Sequence, residues 1–358
     1  MINKKRLVAV IAALAAVVAA VFASAAIRGF FLDDEIKDIK SKTGIGYSTE
    51  SYGNEILLVN NEGVRAMSRA GKEEWSIAFA STSPSVRVRN KYIMLADVNG
   101  KNLALYRGDK LITKIKTEKE IIAASMNKNG YIAAATDELG YKGMVAVFDR
   151  SGKEIYRWHS GSGYIGGIDL SPRGRLAVLQ IMTDKDKVYT KVLEMDIRNN
   201  KEAKMLTEID GIALEARYRD NSSLTVVADS AVFNLKSGGK VKGKIDFEGR
   251  TPSGYNIQNE NNMVFAFENR LNNTILEMYS SGGTLKGSFD SGDEIKAFDV
   301  SGESVIAAKL HEIVTVSSVG KLKKTVQTHH DVKNMKIFPS RDKALVIGGS
   351  NAEIIKIR

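Results

Sequence analysis

The sequence predicts an all-β fold, a β-propeller of four-stranded blades carried behind an N-terminal transmembrane helix. Three observations predict it. One segment reads as four short strands within about forty residues. A turn residue returns at that same interval along the chain. A single uncharged apolar run stands near the start.

Residues 7–27 carry no charge and are rich in Ala and Val. A helix rises about 1.5 Å per residue, so this run spans roughly 30 Å, the thickness of a bilayer core. Lys4, Lys5 and Arg6 precede it, and Asp33, Asp34 and Glu35 follow it. The positive-inside rule then puts the N-terminus in the cytoplasm and everything after residue 28 outside. Phe30, Phe31 and Leu32 extend the apolar collar as an interfacial anchor does. A second reading is a cleaved signal peptide, with Ala23-Ser24-Ala25 as its small-residue site and a secreted body. The expected organisation is a cytoplasmic tip and membrane anchor at 1–32 and an extracytoplasmic propeller at 33–358.

The clearest repeat is 121–159. It reads as strand, turn at Asn127-Lys128-Asn129-Gly130, strand, longer loop, strand, turn at Asp149-Arg150-Ser151-Gly152, strand. The turn before the fourth strand recurs at Gly71, Gly108, Gly152, Asn200, Gly239, Gly283 and Gly320. Gly and Asn suit a turn position at positive φ, where other side chains are strained. The last unit, 332–358, has three strands and lacks a fourth. A segment within 36–48 is expected to supply it, closing the ring and covering a sheet edge. The count gives eight blades, or seven if the poorly defined start before Glu55 contributes none. A two-layer sandwich or two smaller β domains is the competing arrangement.

Composition limits the chemistry. The 358 residues include no cysteine, which excludes disulfides, thiolate catalysis and cysteine-ligated zinc. The formal charge is +10, and residues after 28 keep 48 basic against 42 acidic. Such a surface is drawn to anionic headgroups or wall polymers. Basic residues are not clustered in sequence, and nucleic acid is not an expected partner.

The charged-apolar start, residues 55–75, Gly140-Tyr141-Lys142-Gly143 with 145–152, and 164–171 together resemble an uncharacterised family of membrane-anchored propeller proteins from clostridial Firmicutes. The resemblance covers nearly the whole chain and implies fold and placement, with no activity attached. Residues 64–75 are also similar to a quinoprotein-like repeat in which a turn glycine precedes a docking tryptophan, and 152–158 is a partial second copy. Cofactor-binding quinoproteins repeat that tryptophan around the ring. Here only Trp75 and Trp158 exist, so both are expected to pack between blades and no cofactor is expected.

No catalytic or metal motif stands out. His329 and His330 are adjacent, so on a strand they point apart. Asp97-Val98-Asn99-Gly100 and Asp299-Val300-Ser301-Gly302 read as turns in which Asp bonds the backbone and Gly takes positive φ. The expected function is a non-catalytic scaffold binding an envelope protein or a cell-wall polymer, tethered to the cytoplasmic membrane through residues 7–27. The alternative is a wall-polysaccharide hydrolase or a degenerate quinoprotein-like enzyme. Binding is expected at two longer loops, 137–143 with Asp137, Tyr141 and Lys142, and 183–189 with Asp184, Lys185 and Lys187, the latter region joined by Arg173 and Arg175. A channel lined by Asp, Glu and His would favour the enzyme, and an apolar plug would disfavour it.

Overall fold

The second and third strands of each repeat are continuous apolar runs, such as Glu55–Asn60 with its central Ile56, Leu57, Leu58 and Val59 buried. A strand with both faces apolar needs cover on both sides. The outer strands differ. Lys110–Lys116 and Leu322–Gln327 are mostly exposed and each buries one apolar side chain, Ile115 and Val326. Charged outer strands protect the free edge of each sheet.

The computed structural model describes residues 36–39, 48–199, 202–236, 238–259 and 262–358. These form eight four-stranded antiparallel sheets. Blades 1 to 7 take 48–78, 84–116, 121–159, 164–210, 213–246, 254–290 and 297–327, and blade 8 takes 334–356 with 36–39. Strand Ile36–Ile39 pairs antiparallel with Ala352–Lys356, Ile36 opposite Ile355. The borrowed outer strand and the eight-blade count are therefore as the spacing predicts.

Hydrophobic clusters sit between blades rather than within them. Leu57, Val59 and Ile77 of blade 1 pack with Ile93 and Leu95 of blade 2. Each following pair of neighbours shares such a cluster. Phe338 and Leu345 of blade 8 meet Ile56 and Leu58 of blade 1 and close the circle. Trp75 packs into the cluster between blades 1 and 2, and Trp158 into that between blades 3 and 4, as expected.

The recurring turn glycines have positive φ at Gly71, Gly108, Gly152, Gly239, Gly283 and Gly320; Asn200 lies outside the described residues. Each of these turns joins a third and fourth strand whose pairing carries a β-bulge or irregularity, as between Asn234 and Leu235. At Gly239 a Cβ would stand 2.1 Å from the Leu206 carbonyl oxygen of blade 4, so the turn presses directly onto its neighbour.

Two rims result. The turn face carries the first-to-second and third-to-fourth connections. The crossover face carries the second-to-third hairpins and the blade-to-blade links. Among the described residues no helix is long and apolar enough to cross a membrane. The expected span at 7–27, with Ala23-Ser24-Ala25, lies outside the described residues.

Candidate functional site

The innermost strand of every blade brings one equivalent position to the central channel. Each such residue pairs with a residue inside the second strand of its blade, as Glu50 with Leu57 and Arg87 with Met94. The series around the ring is Glu50, Arg87, Ser125, Asp169, then Arg217, Asn256, Asp299, Lys336. Acid, base and neutral groups follow one another in that order, and the charges cancel.

These side chains tie blades together. Asp169 accepts from the Ser125 hydroxyl of blade 3 and the Tyr218 N–H of blade 5, each at 2.6 Å. Asp299 repeats the arrangement, accepting from Asn256 of blade 6 at 3.0 Å and the Ile337 N–H of blade 8 at 3.2 Å, with Lys336 Nζ at 3.4 Å. Two contacts cross the channel. Arg87 meets Glu215 of blade 5 at 3.7 Å, and Gln258 of blade 6 donates to Glu50 of blade 1 at 3.5 Å.

Burial shapes the protonation behaviour here. Burial, then the neighbouring Arg217, pushes Arg89 down to about 10. Burial also lowers Arg217, whose Nη1 has no hydrogen-bond partner among the described residues, the Glu215 oxygen standing 4.0 Å away. Burial raises the Tyr255 phenol, and the Glu215 carboxylate raises it further. The channel is thus neither the acid-and-histidine pocket nor the apolar plug posed by the sequence. Its acids each hold a partner: Glu50 with Gln258, Asp169 with Ser125, Glu215 with Arg87 and Asp299 with Lys336.

Asp299 bonds the backbone as expected, accepting from the Val300 N–H at 2.9 Å, and Gly302 takes positive φ; the sequence did not show that Asp299 is also a channel residue. In the other tetrapeptide Asp97 also caps the backbone, accepting from Thr82 N–H at 2.8 Å, but Asn99 takes the positive φ rather than Gly100. A cleft of about 300 Å³ opens beside Asp299 on the turn face, lined also by Asn256, Lys336 and Arg341.

The crossover face carries a different surface. Residues 137–143 form the expected loop between Ile132–Thr136 and Met144–Phe148. Leu139 at its tip is 87% exposed, Tyr141 50%, and Tyr164 on the next blade 56%. Tyr141 lies 4.6 Å from the His159 ring, tilted by 34°. Lys142 donates to the Tyr164 hydroxyl at 3.3 Å with its Nζ 4.9 Å from the ring centre. The Lys142 N–H donates to Ser160 O and Gln180 donates to the Ser160 hydroxyl, so loop and blade 4 are joined. Val188, Ile212 and Leu214, toward blade 5, are exposed on the same side.

The second predicted loop is not a loop. Strands Arg175–Asp184 and Lys187–Asp196 run unbroken to a two-residue turn at Lys185-Asp186, with Asp184 opposite Lys187. It is a projecting hairpin, longer than those of the other blades. Arg175 and Asp184 end the same strand, so Arg173 and Arg175 lie on the turn face and Asp184, Lys185 and Lys187 on the crossover face. The single charged surface expected from these residues is two surfaces on opposite rims. Asp137, Tyr141 and Lys142 share the crossover face with the hairpin tip.

The histidines lie toward the crossover face as well. The His329 and His330 rings stand 6.4 Å apart at 85°, with His329 near Glu353 and His330 near Asn351. No group of three potential metal-binding side chains occurs among the described residues.

Residues 33–357 match the model of a family of unknown function, DUF5711. The chain belongs to this family. The match leaves the apolar run at 7–27 outside it. No functionally curated protein matches the chain in sequence. Among solved structures, the C-terminal WD40 domain of Sif2 is similar with a TM-score of 0.65 at 13% identity, over 90% of this chain and 98% of that one. A chain in the crystal structure of the mitotic checkpoint complex is similar with a TM-score of 0.50 at 10% identity, over 77% and 90%. The DUF5711 chain therefore shares the WD40-type propeller fold.

Proposed function

We propose that this DUF5711 protein is a membrane-tethered binding platform. Residues 7–27 hold it in the cytoplasmic membrane with 33–358 outside, and the crossover face of blades 3 to 5 receives an envelope protein. The observation that carries the reading is the exposure of Leu139, Tyr141, Tyr164, Val188, Ile212 and Leu214, all on the crossover side of three successive blades. Large apolar patches on a soluble face mark interaction sites, and tyrosines add rigid contact area with a polar tip. The projecting hairpin gives that patch a raised border. The rigid ring, tied through its channel, holds both in fixed register. The wide use of this fold for protein contacts supports the reading by analogy alone.

The test is site-specific photocrosslinking in intact cells of the native organism. A photoreactive residue at Tyr141 or Tyr164 should yield one discrete protein conjugate. One placed at Lys324 on an outer strand should not, and Leu139→Ser with Ile212→Ser should lower the yield about tenfold, as loss of hot-spot residues does. Identical conjugates from Tyr141 and Lys324 would contradict the assignment. Conjugation to wall polymer alone would replace the protein partner with a glycan.

A further inference from the structure

The chain joins its propeller at one rim. Strand Ile36–Ile39 runs antiparallel to Ala352–Lys356, with Ile36 opposite Ile355, so the polypeptide arrives on the turn face beside its own C-terminus. That face is basic. Its exposed turns present Arg69, Arg107, Lys128, Arg150, Arg173 and Arg198, spread over blades 1 to 4, and Lys240, Lys321 and Arg341 continue the series. The acids among these turns, such as Asp109, Asp149 and Asp342, are fewer. On the crossover face the two signs nearly balance, with Glu62, Glu118, Asp137, Glu138, Asp186 and Glu294 set against a comparable number of lysines and arginines.

We infer that the turn face is a seat for an anionic lipid surface, and that it lies flat against the membrane into which residues 7–27 insert. This rests on the tethering reading above. The geometry of attachment is what selects the partner. Asp33, Asp34 and Glu35 alone separate the interfacial collar at Phe30, Phe31 and Leu32 from the strand at Ile36. Three extended residues span roughly 10 Å. That equals about one Debye length at physiological salt, so the arginines of this rim work within range of headgroup charge. Each basic side chain near an anionic leaflet adds to the attraction. The three acids of the connection offset part of this, and the excess across the rim outweighs them.

The rim also holds a notch that suits a headgroup phosphate. Two clefts of about 470 and 510 Å³ open between blades 3 and 4 and between blades 4 and 5, and both are lined by Arg173 and Arg198. The Arg198 guanidinium donates to the Arg173 carbonyl, which fixes the pair side by side. Planar guanidinium forks match phosphate oxygens in two-point contact. Seating this rim on the bilayer turns the Tyr141 and Tyr164 surface outward.

The absence of native cysteine makes the test direct. The full chain carries a single Asn54→Cys label on the turn face or a single Ser230→Cys label on the crossover face. It is reconstituted in vesicles of phosphatidylcholine alone or with one-third phosphatidylglycerol, and energy transfer to a headgroup dye is read. The turn-face label should lie nearer the dye in both, and closer in anionic vesicles, an increment that raised salt removes. The crossover label should stay distant throughout. Arg173→Gln with Arg198→Gln should cut the seated population about thirtyfold, the loss of two basic contacts with the leaflet. Lys128→Glu with Lys153→Glu, on exposed turns, should do the same without touching the Arg198 bond. Equal transfer in neutral and anionic vesicles overturns the seat and leaves the tether standing. Failure to associate with either vesicle overturns both. Equal competition by soluble polyphosphate or by nucleic acid assigns the rim to a free polyanion and overturns the lipid assignment.

Discussion

Gly239 is confined twice, by its φ of +90° and by the Leu206 carbonyl 2.1 Å from where a Cβ would sit. Gly239→Ala should therefore cost more than about 2 kcal/mol, since backbone strain and a clash with main chain add. Thermal unfolding of the full chain checks it. The channel residues make a second prediction. Arg87→Met leaves the partly buried Glu215 with only the more distant Arg217 at 4.0 Å, and a loss of about 1 kcal/mol is expected, discounted from the fully buried case for solvent access and the remaining cation. Pairing it with Glu215→Gln should recover most of that, a coupling that a double-mutant cycle measures. Arg89 behaves oppositely. Its charge is disfavoured by burial and by Arg217, and because its value falls only to about 10 that cost persists at every pH below this. Arg89→Met should hold or raise the melting temperature, and a fall of several degrees would show that its bond to the Val88 carbonyl matters more.

Within single blades, blade 6 carries a partly buried pH-sensitive unit. Burial pushes Glu277 up, but Arg250 at 2.7 and 3.2 Å and the Tyr279 hydroxyl at 2.7 Å hold it below the usual carboxylate value on balance. A depressed carboxylate stabilises the fold above its unfolded value and loses that as pH falls through the folded one. Stability should thus decline below about pH 4.3, and Glu277→Gln should flatten the decline while lowering stability at neutral pH. Denaturant titrations across that range decide it. Elements of this kind were readable to different depths. The turn glycines could be found because positive φ is a local demand, met by Gly wherever it recurs. The hairpin at 175–196 could not, because Lys185 takes φ +50° where sequence reasoning looks for Gly or Asn, so the tip resembled a loop. The channel ring was hidden for another reason. Asp299 looks like Asp97 in its tetrapeptide, and only strand register shows that it matches Glu50 and Asp169 across the ring.

Across the whole molecule, the ring depends on the two ends meeting. Ala352–Lys356 would be a bare edge with buried Ile354 and Ile355 behind it if Ile36–Ile39 left. Removing residues 33–39 should therefore lower the unfolding midpoint and promote association through that edge, visible as concentration-dependent oligomers in light scattering. The same pairing fixes which rim strand Ile36–Ile39 starts from, and the orientation proposed for the Tyr141 surface and the basic turns rests on it. Hydrogen exchange at the amides of 36–39 in the full chain tests it most directly. Alternate amides there should be protected as strongly as those in the outer strand Val241–Asp246. Exchange of all four at the rate of an unstructured tail would contradict ring closure and the orientation built on it.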